Sequence, residues 1–151
     1  MPTDPDSDDV IYRQEVRIDA PPDAVFGLLV DAESIRRWIG SVVMADPRPG
    51  GELTIDMNGS DIVRGEYVVV DRPHRVVFTW GYEGAADMGP GSSTVQIDLT
   101  ADGDGTLLEL VHRDFPPDRL TDHADGWTHF LGRLRDVCGK LTDTRPRTEE
   151  T

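Results

Sequence analysis

The sequence predicts an α+β domain: a curved antiparallel sheet of about six to seven strands wrapped around a long C-terminal helix. Three observations predict it. Segments of apolar–polar alternation recur between residues 10 and 113, joined by short turn-forming stretches that favour pairing of successive strands. The best helical stripe lies at the end, where Trp127, Phe130, Leu131, Leu134, Val137, Cys138 and Leu141 step by threes and fours. A sheet face and a helix stripe each need an apolar partner, and here each supplies the other's.

The elements follow in order. Tyr12, Gln14, Val16 and Ile18 alternate with Arg13, Glu15, Arg17 and Asp19, the pattern of a half-buried strand. Pro21 and Pro22 open a helix, where a missing N–H costs nothing. Val25, Phe26, Leu28 and Leu29 give that helix an apolar side. Asp31 caps a second short helix ending near Trp38 and Gly40. Strands are predicted at Val42–Ala45, Glu52–Met57, Val63–Asp71 and Arg75–Tyr82. Thr94–Thr100 and Thr106–Arg113 form a hairpin across Asp102-Gly103-Asp104-Gly105, with Val95, Ile97 and Leu99, and Leu108, Leu110 and His112, facing inward. The helix over Thr121–Leu141 is roughly 30 Å long at 1.5 Å per residue, enough to cross the sheet.

A chain of 151 residues is one domain's worth of core. Residues 1–9 and 142–151 read as polar, disordered tails around a single domain at 10–141. Fifteen basic residues against 29 acidic give a net charge of −14, which repels phosphate and argues against nucleic acid and anionic membranes as partners. No export leader or apolar run of membrane-spanning length is visible, so a cytoplasmic location is expected. Lys140 is the only lysine, and the single Cys138 excludes a disulfide framework.

The segments IDAPPDAVFGLLVDAESIRRWIG, PRPGGELTIDM, RGEYVVVDRPHRVVFTW, STVQIDLTADGDGTLLELVHRDF and GWTHFLGRL stand in one register over residues 10–141. In that order they resemble the START-like helix-grip superfamily (SRPBCC), within it the branch of activator of heat-shock-protein-90 ATPase homologues. The resemblance implies a ligand-accommodating cavity between sheet and C-terminal helix. It fixes no reaction, because the fold hosts binding proteins, cyclases, dehydratases and cochaperone domains.

The leading expectation is a small-molecule binding domain for a lipid-like, aromatic or polyketide-like compound, working as monomer or homodimer without a cofactor or metal. From the first helix and the following turn Phe26 and Trp38 would line its cavity. The strands would add Ile55, Met57, Tyr67, Phe78, Trp80, Ile97 and Leu110, and the last helix Trp127, Phe130, Leu131 and Leu134. The tryptophans equally suit a packed core. His112, placed inward by alternation, would orient a ligand, act as a general base, or sit as a buried histidine bonded to Trp127, to backbone or to water. The resemblance pairs this histidine with Gly126-Trp127. Alternative readings are a cyclase or dehydratase using His112, and a protein-binding module suggested by the branch name.

Other groups read as structural. Asp125 and His129 lie four apart with His123 nearby, a spacing better explained by a solvated helix face than by a metal. Ser92 and Ser93 have no histidine partner visible in the sequence, and Cys138 falls on the apolar stripe as an unreactive thiol. Glu52, Asp56, Arg64 and Glu66 read as sheet-face charges. The glycine-rich stretch Glu83–Ser93 reads as a lid or a flexible crossover.

Overall fold

The computed structural model describes residues 10–143. Strand β1 (Val10–Ile18) is followed by helices α1 (Pro22–Val30) and α2 (Ala32–Ile35). Then come β2 (Val42–Ala45), β3 (Glu52–Asp56), β4 (Ile62–Asp71), β5 (Arg75–Trp80), β6 (Ser93–Asp102) and β7 (Gly105–Phe115). A 3-10 turn at Pro117–Arg119 leads into α3 (Leu120–Asp143). The predicted elements are present, with ends displaced by one to three residues. Apart from residues 142 and 143, which extend α3, the two tails lie outside the described residues.

The seven strands form one antiparallel sheet in the order β1-β7-β6-β5-β4-β3-β2. From β2 onward each strand pairs with its successor, as short connections dictate. Only β1 breaks the sequence order, pairing with β7 at the far edge, so α1 and α2 carry the chain from one edge of the sheet to the other.

Register places side chains in rows. Tyr67 pairs with Phe78, Phe78 with Val95, Val95 with His112, and His112 with Tyr12, one line across five strands. The next inward line joins Val76, Ile97 and Leu110. The apolar members of these rows and the α3 stripe of Trp127, Leu131, Leu134 and Cys138 form a single buried cluster, with Tyr12 packed against it, the arrangement expected when sheet and helix bury each other's apolar faces.

Helix α1 explains two of the predicted pocket residues. The last carbonyls of a helix have no partner within it. Here the Trp38 indole N–H donates to the Leu28 carbonyl at 2.7 Å, and the Tyr67 hydroxyl donates to the Leu29 carbonyl at 3.2 Å. Both aromatics are buried and serve as caps of α1. The Asp31 carboxylate accepts from the Ser34 backbone N–H at 3.0 Å, capping α2 as its position suggested.

Candidate functional site

His112 projects from β7 into the interior and is fully buried. Its Nδ1 accepts the Trp127 indole N–H at 3.0 Å, and its Nε2 lies 2.8 Å from Ser93 Oγ. An indole N–H only donates, so Nδ1 carries no proton and the neutral ring has its hydrogen on Nε2. That hydrogen is donated to Ser93 Oγ, whose own hydrogen goes to the Trp80 carbonyl at 2.6 Å. Burial, and then the neighbouring His123, push the His112 pKa down to about 3. Both nitrogens are committed, and Ser93 donates its proton away from the ring, so this pair is not a poised nucleophile and base. The partner missing from the sequence reading of Ser93 is therefore His112. Strand parity contained the signal, because Ser93 shares the inward face with Val95, Ile97 and Leu99.

His123 corrects a second expectation. Asp125 and His129 are exposed on α3, but His123 is only 5% exposed and turns inward. Its ring stacks on His112, with centroids 4.6 Å apart and planes at 25°, and contacts Phe115 at 4.7 Å. Neither ring nitrogen has a hydrogen-bond partner. Burial, then the charge of Arg119, lower its pKa to about 4, so it is neutral at physiological pH. The signal was its place four residues before Trp127, on the same stripe. Among the described residues, no three His, Cys, Asp or Glu side chains converge as a metal site.

His123 lines a half-open cleft of about 70 Å³. Asp122, His123, Gly126, Trp127 and Phe130 come to it from α3 and its first turn. Trp80 and Tyr82 form the sheet side, Ile39 and Met57 the far wall, and Arg119 the rim. Behind it lies an apolar void of about 10 Å³, which Ile39, Trp80 and Trp127 also line. Space between sheet and helix is thus largely filled. Trp80 packs on Trp127 at 5.2 Å and on Phe78 at 6.1 Å, occupying the volume where the fold resemblance implied a cavity.

Of the residues predicted to line that cavity, Met57, Trp80, Trp127 and Phe130 border the cleft. Trp38, Ile55, Phe78 and Ile97 join Trp80 and Trp127 around the void. Phe26, Tyr67, Leu110, His112, Leu131 and Leu134 border neither space, and all six are buried in the core. Ile39, Tyr82, Arg119, Asp122, His123 and Gly126 of the cleft were not among the predicted lining set.

The β5–β6 loop is fastened across one side of the mouth. Met88 is fully buried, and its carbonyl accepts the Tyr82 N–H at 2.9 Å. Gly81 permits this fold-back, since a Cβ there would stand 1.7 Å from the Gly89 carbonyl oxygen. Arg119 makes a bidentate bond to Asp87 at 2.8 and 2.9 Å and lies over the Tyr82 ring. That guanidinium holds the Asp87 pKa below the usual carboxylate range. Away from the mouth, Arg64 sits between Glu52 and Glu83. Cys138 is buried, which pushes its thiol pKa up to about 11.

No described helix is long and apolar enough to cross a membrane. The sequence profile of the family described as activator of Hsp90 ATPase homolog 1-like protein matches residues 19–139. No protein of curated function matches the chain. An AHSA1-like protein of Rhizobium etli is 40% identical, with a TM-score of 0.70 over 86% of this chain and 82% of that one. CalU16 of Micromonospora echinospora is 34% identical, with a TM-score of 0.67 over 84% of this chain and 71% of that one. An Hsp90 activator of Plasmodium falciparum is 24% identical, with a TM-score of 0.72 over 85% of this chain and 96% of that one, a likeness of fold alone. With the profile covering most of the described domain and two relatives above 30% identity, the chain belongs to the family of activator of Hsp90 ATPase homolog 1-like proteins.

Proposed function

We propose that this domain binds an apolar or aromatic small molecule at the cleft between the sheet and α3. The observation that carries the reading is that Ile39, Trp80 and Trp127 line both the open cleft and the void behind it. Ligand pockets usually have about 300–1,000 Å³, more than this cleft offers. The head of a ligand enters the cleft, and rotation of an indole joins the two spaces to admit more of it. His112, the general base expected from the sequence, has no free nitrogen for proton transfer, which supports binding over turnover at that residue.

Native mass spectrometry of freshly purified protein, compared with its denatured mass, tests this. An extra mass released on denaturation is the expected result and gives the ligand's formula. A clean mass, with no thermal shift across lipids and aromatics, would overturn the proposal in favour of a protein-partner role.

A further inference from the structure

The feature that the packing leaves unexplained is the ring of His123. Its two nitrogens are the only buried side-chain polar atoms among the described residues that lack a hydrogen-bond partner. Leaving such groups unbonded costs about 1–3 kcal/mol, and a phenylalanine would fill the same space without that penalty. Most of the polar groups around it are engaged, the hydroxyl hydrogen of Tyr82 and the Asp122 carboxylate being the exceptions on the cleft wall. His112 holds Trp127 and Ser93, the Tyr82 hydroxyl accepts the Trp80 indole N–H at 3.2 Å, and Arg119 holds Asp87. Stacking on His112 fixes the plane of the ring. His123 is thus a positioned, uncommitted hydrogen-bonding group on the wall of an aromatic cleft.

Resting on the function proposed above, we infer that His123 is the polar anchor of the cleft, and that its ligand is an uncharged aromatic bearing a hydroxyl. The ring of such a ligand packs against Trp127, Phe130 and Met57. Both ring nitrogens are closed off from solvent, so the hydroxyl reaches one only as the cleft's side chains move aside to admit the ligand; donating or accepting, it then satisfies that nitrogen of the neutral imidazole. A carboxylate is disfavoured. The rim carries Asp87 and Asp122 against the single Arg119, which is already bonded to Asp87, in a chain of net charge −14. The cleft is about half the ~150 Å³ of a cavity known to hold benzene, so one ring enters only in part, hydroxyl first.

The experiment is an NMR titration of wild type and His123→Phe with phenol, toluene and benzoate, three single rings that differ in one substituent. Wild type is expected to bind phenol about tenfold more tightly than toluene, with benzoate weakest. In His123→Phe that preference falls to within about twofold. Equal binding of phenol and toluene by wild type, or a preference that survives in the variant, overturns the inference and leaves the binding reading standing. Failure of all three to bind wild type overturns the inference and counts against the binding reading as well. Should the variant not fold, the ¹⁵N shifts of the wild-type His123 ring decide. Movement with phenol but not toluene supports the anchor, and no movement with either overturns it.

Discussion

The indole N–H of Trp127 donates to Nδ1 of His112 across 3.0 Å, a bond that ties α3 to β7, one strand in from the edge of the sheet, and sets the imidazole tautomer. Both groups are buried, so removing either leaves the other without its partner. Trp127→Phe and His112→Leu are each expected to destabilise the domain by about 2–3 kcal/mol in urea titrations. The double variant should lose less than the sum, by about 1 kcal/mol, because the second change removes a group already orphaned by the first. Additive losses would mean that the bond contributes nothing beyond packing.

The β5–β6 loop should behave as two separable attachments. Met88→Ala empties a fully buried site and is expected to cost about 2–4 kcal/mol, unusually much for a loop residue. Arg119→Ala breaks an ion pair at the rim and a cation–π contact with Tyr82, both at the surface, so global stability should fall by about 1 kcal/mol. Hydrogen exchange in residues 83–92 should nevertheless accelerate in Arg119→Ala while the sheet keeps its protection. An unchanged loop would show that Met88 alone holds it.

Trp38 and Tyr67 are expected to matter first as caps of α1. Trp38→Phe and Tyr67→Phe keep the aromatic ring but leave the carbonyls of Leu28 and Leu29 without donors. Each should lower stability by about 1–2 kcal/mol, and Tyr67→Phe, at a residue that borders neither the cleft nor the void, should leave binding within about twofold. A loss of affinity without a loss of stability would place these rings in the ligand site.

These cases mark what could be read from the chain. Alternation in β6 and β7 placed Val95, Ile97, Leu110 and His112 inward because a strand's period is short and local. The Asp102–Gly105 turn was equally local; Asp102 pairs with Gly105 across it, and Gly103 takes a φ of +62°. His123 was also legible, four residues before Trp127, but its spacing to Asp125 and His129 poses only a choice between a metal site and a solvated face. The burial of Met88 was not legible, since an aperiodic loop carries no face to extrapolate from. Nor were the caps of α1: Tyr67 reaches Leu29 across 38 positions of sequence, a contact set only once the sheet has curved over the helix. How far three tryptophans fill the interior is a matter of packing shape, which hydropathy does not encode.

Acid sensitivity follows from the stacked histidines. His112 and His123 are held neutral, with pKa values pushed down to about 3 and about 4, while in the unfolded chain each titrates near about 6.5. Between those limits the unfolded state binds more protons than the folded one, so stability rises with pH. The contribution is fully present above the unfolded pKa and is lost as the pH falls toward the folded values. With Arg119 and Asp122 beside His123, and His123 beside His112, protonating one ring further disfavours protonating the other. Well below pH 6.5 the slope should approach that of two protons, about 2.7 kcal/mol per pH unit, before the carboxylates begin to titrate. Urea unfolding measured at half-unit steps from pH 7.0 to 5.0 checks this. His123→Phe should remove about half of the slope, and His112→Leu a similar share, each measured against its own stability at pH 7. A wild-type stability flat across that range would mean that the rings are protonated in the fold, and that their stack is not the neutral pair on which the cleft's chemistry rests.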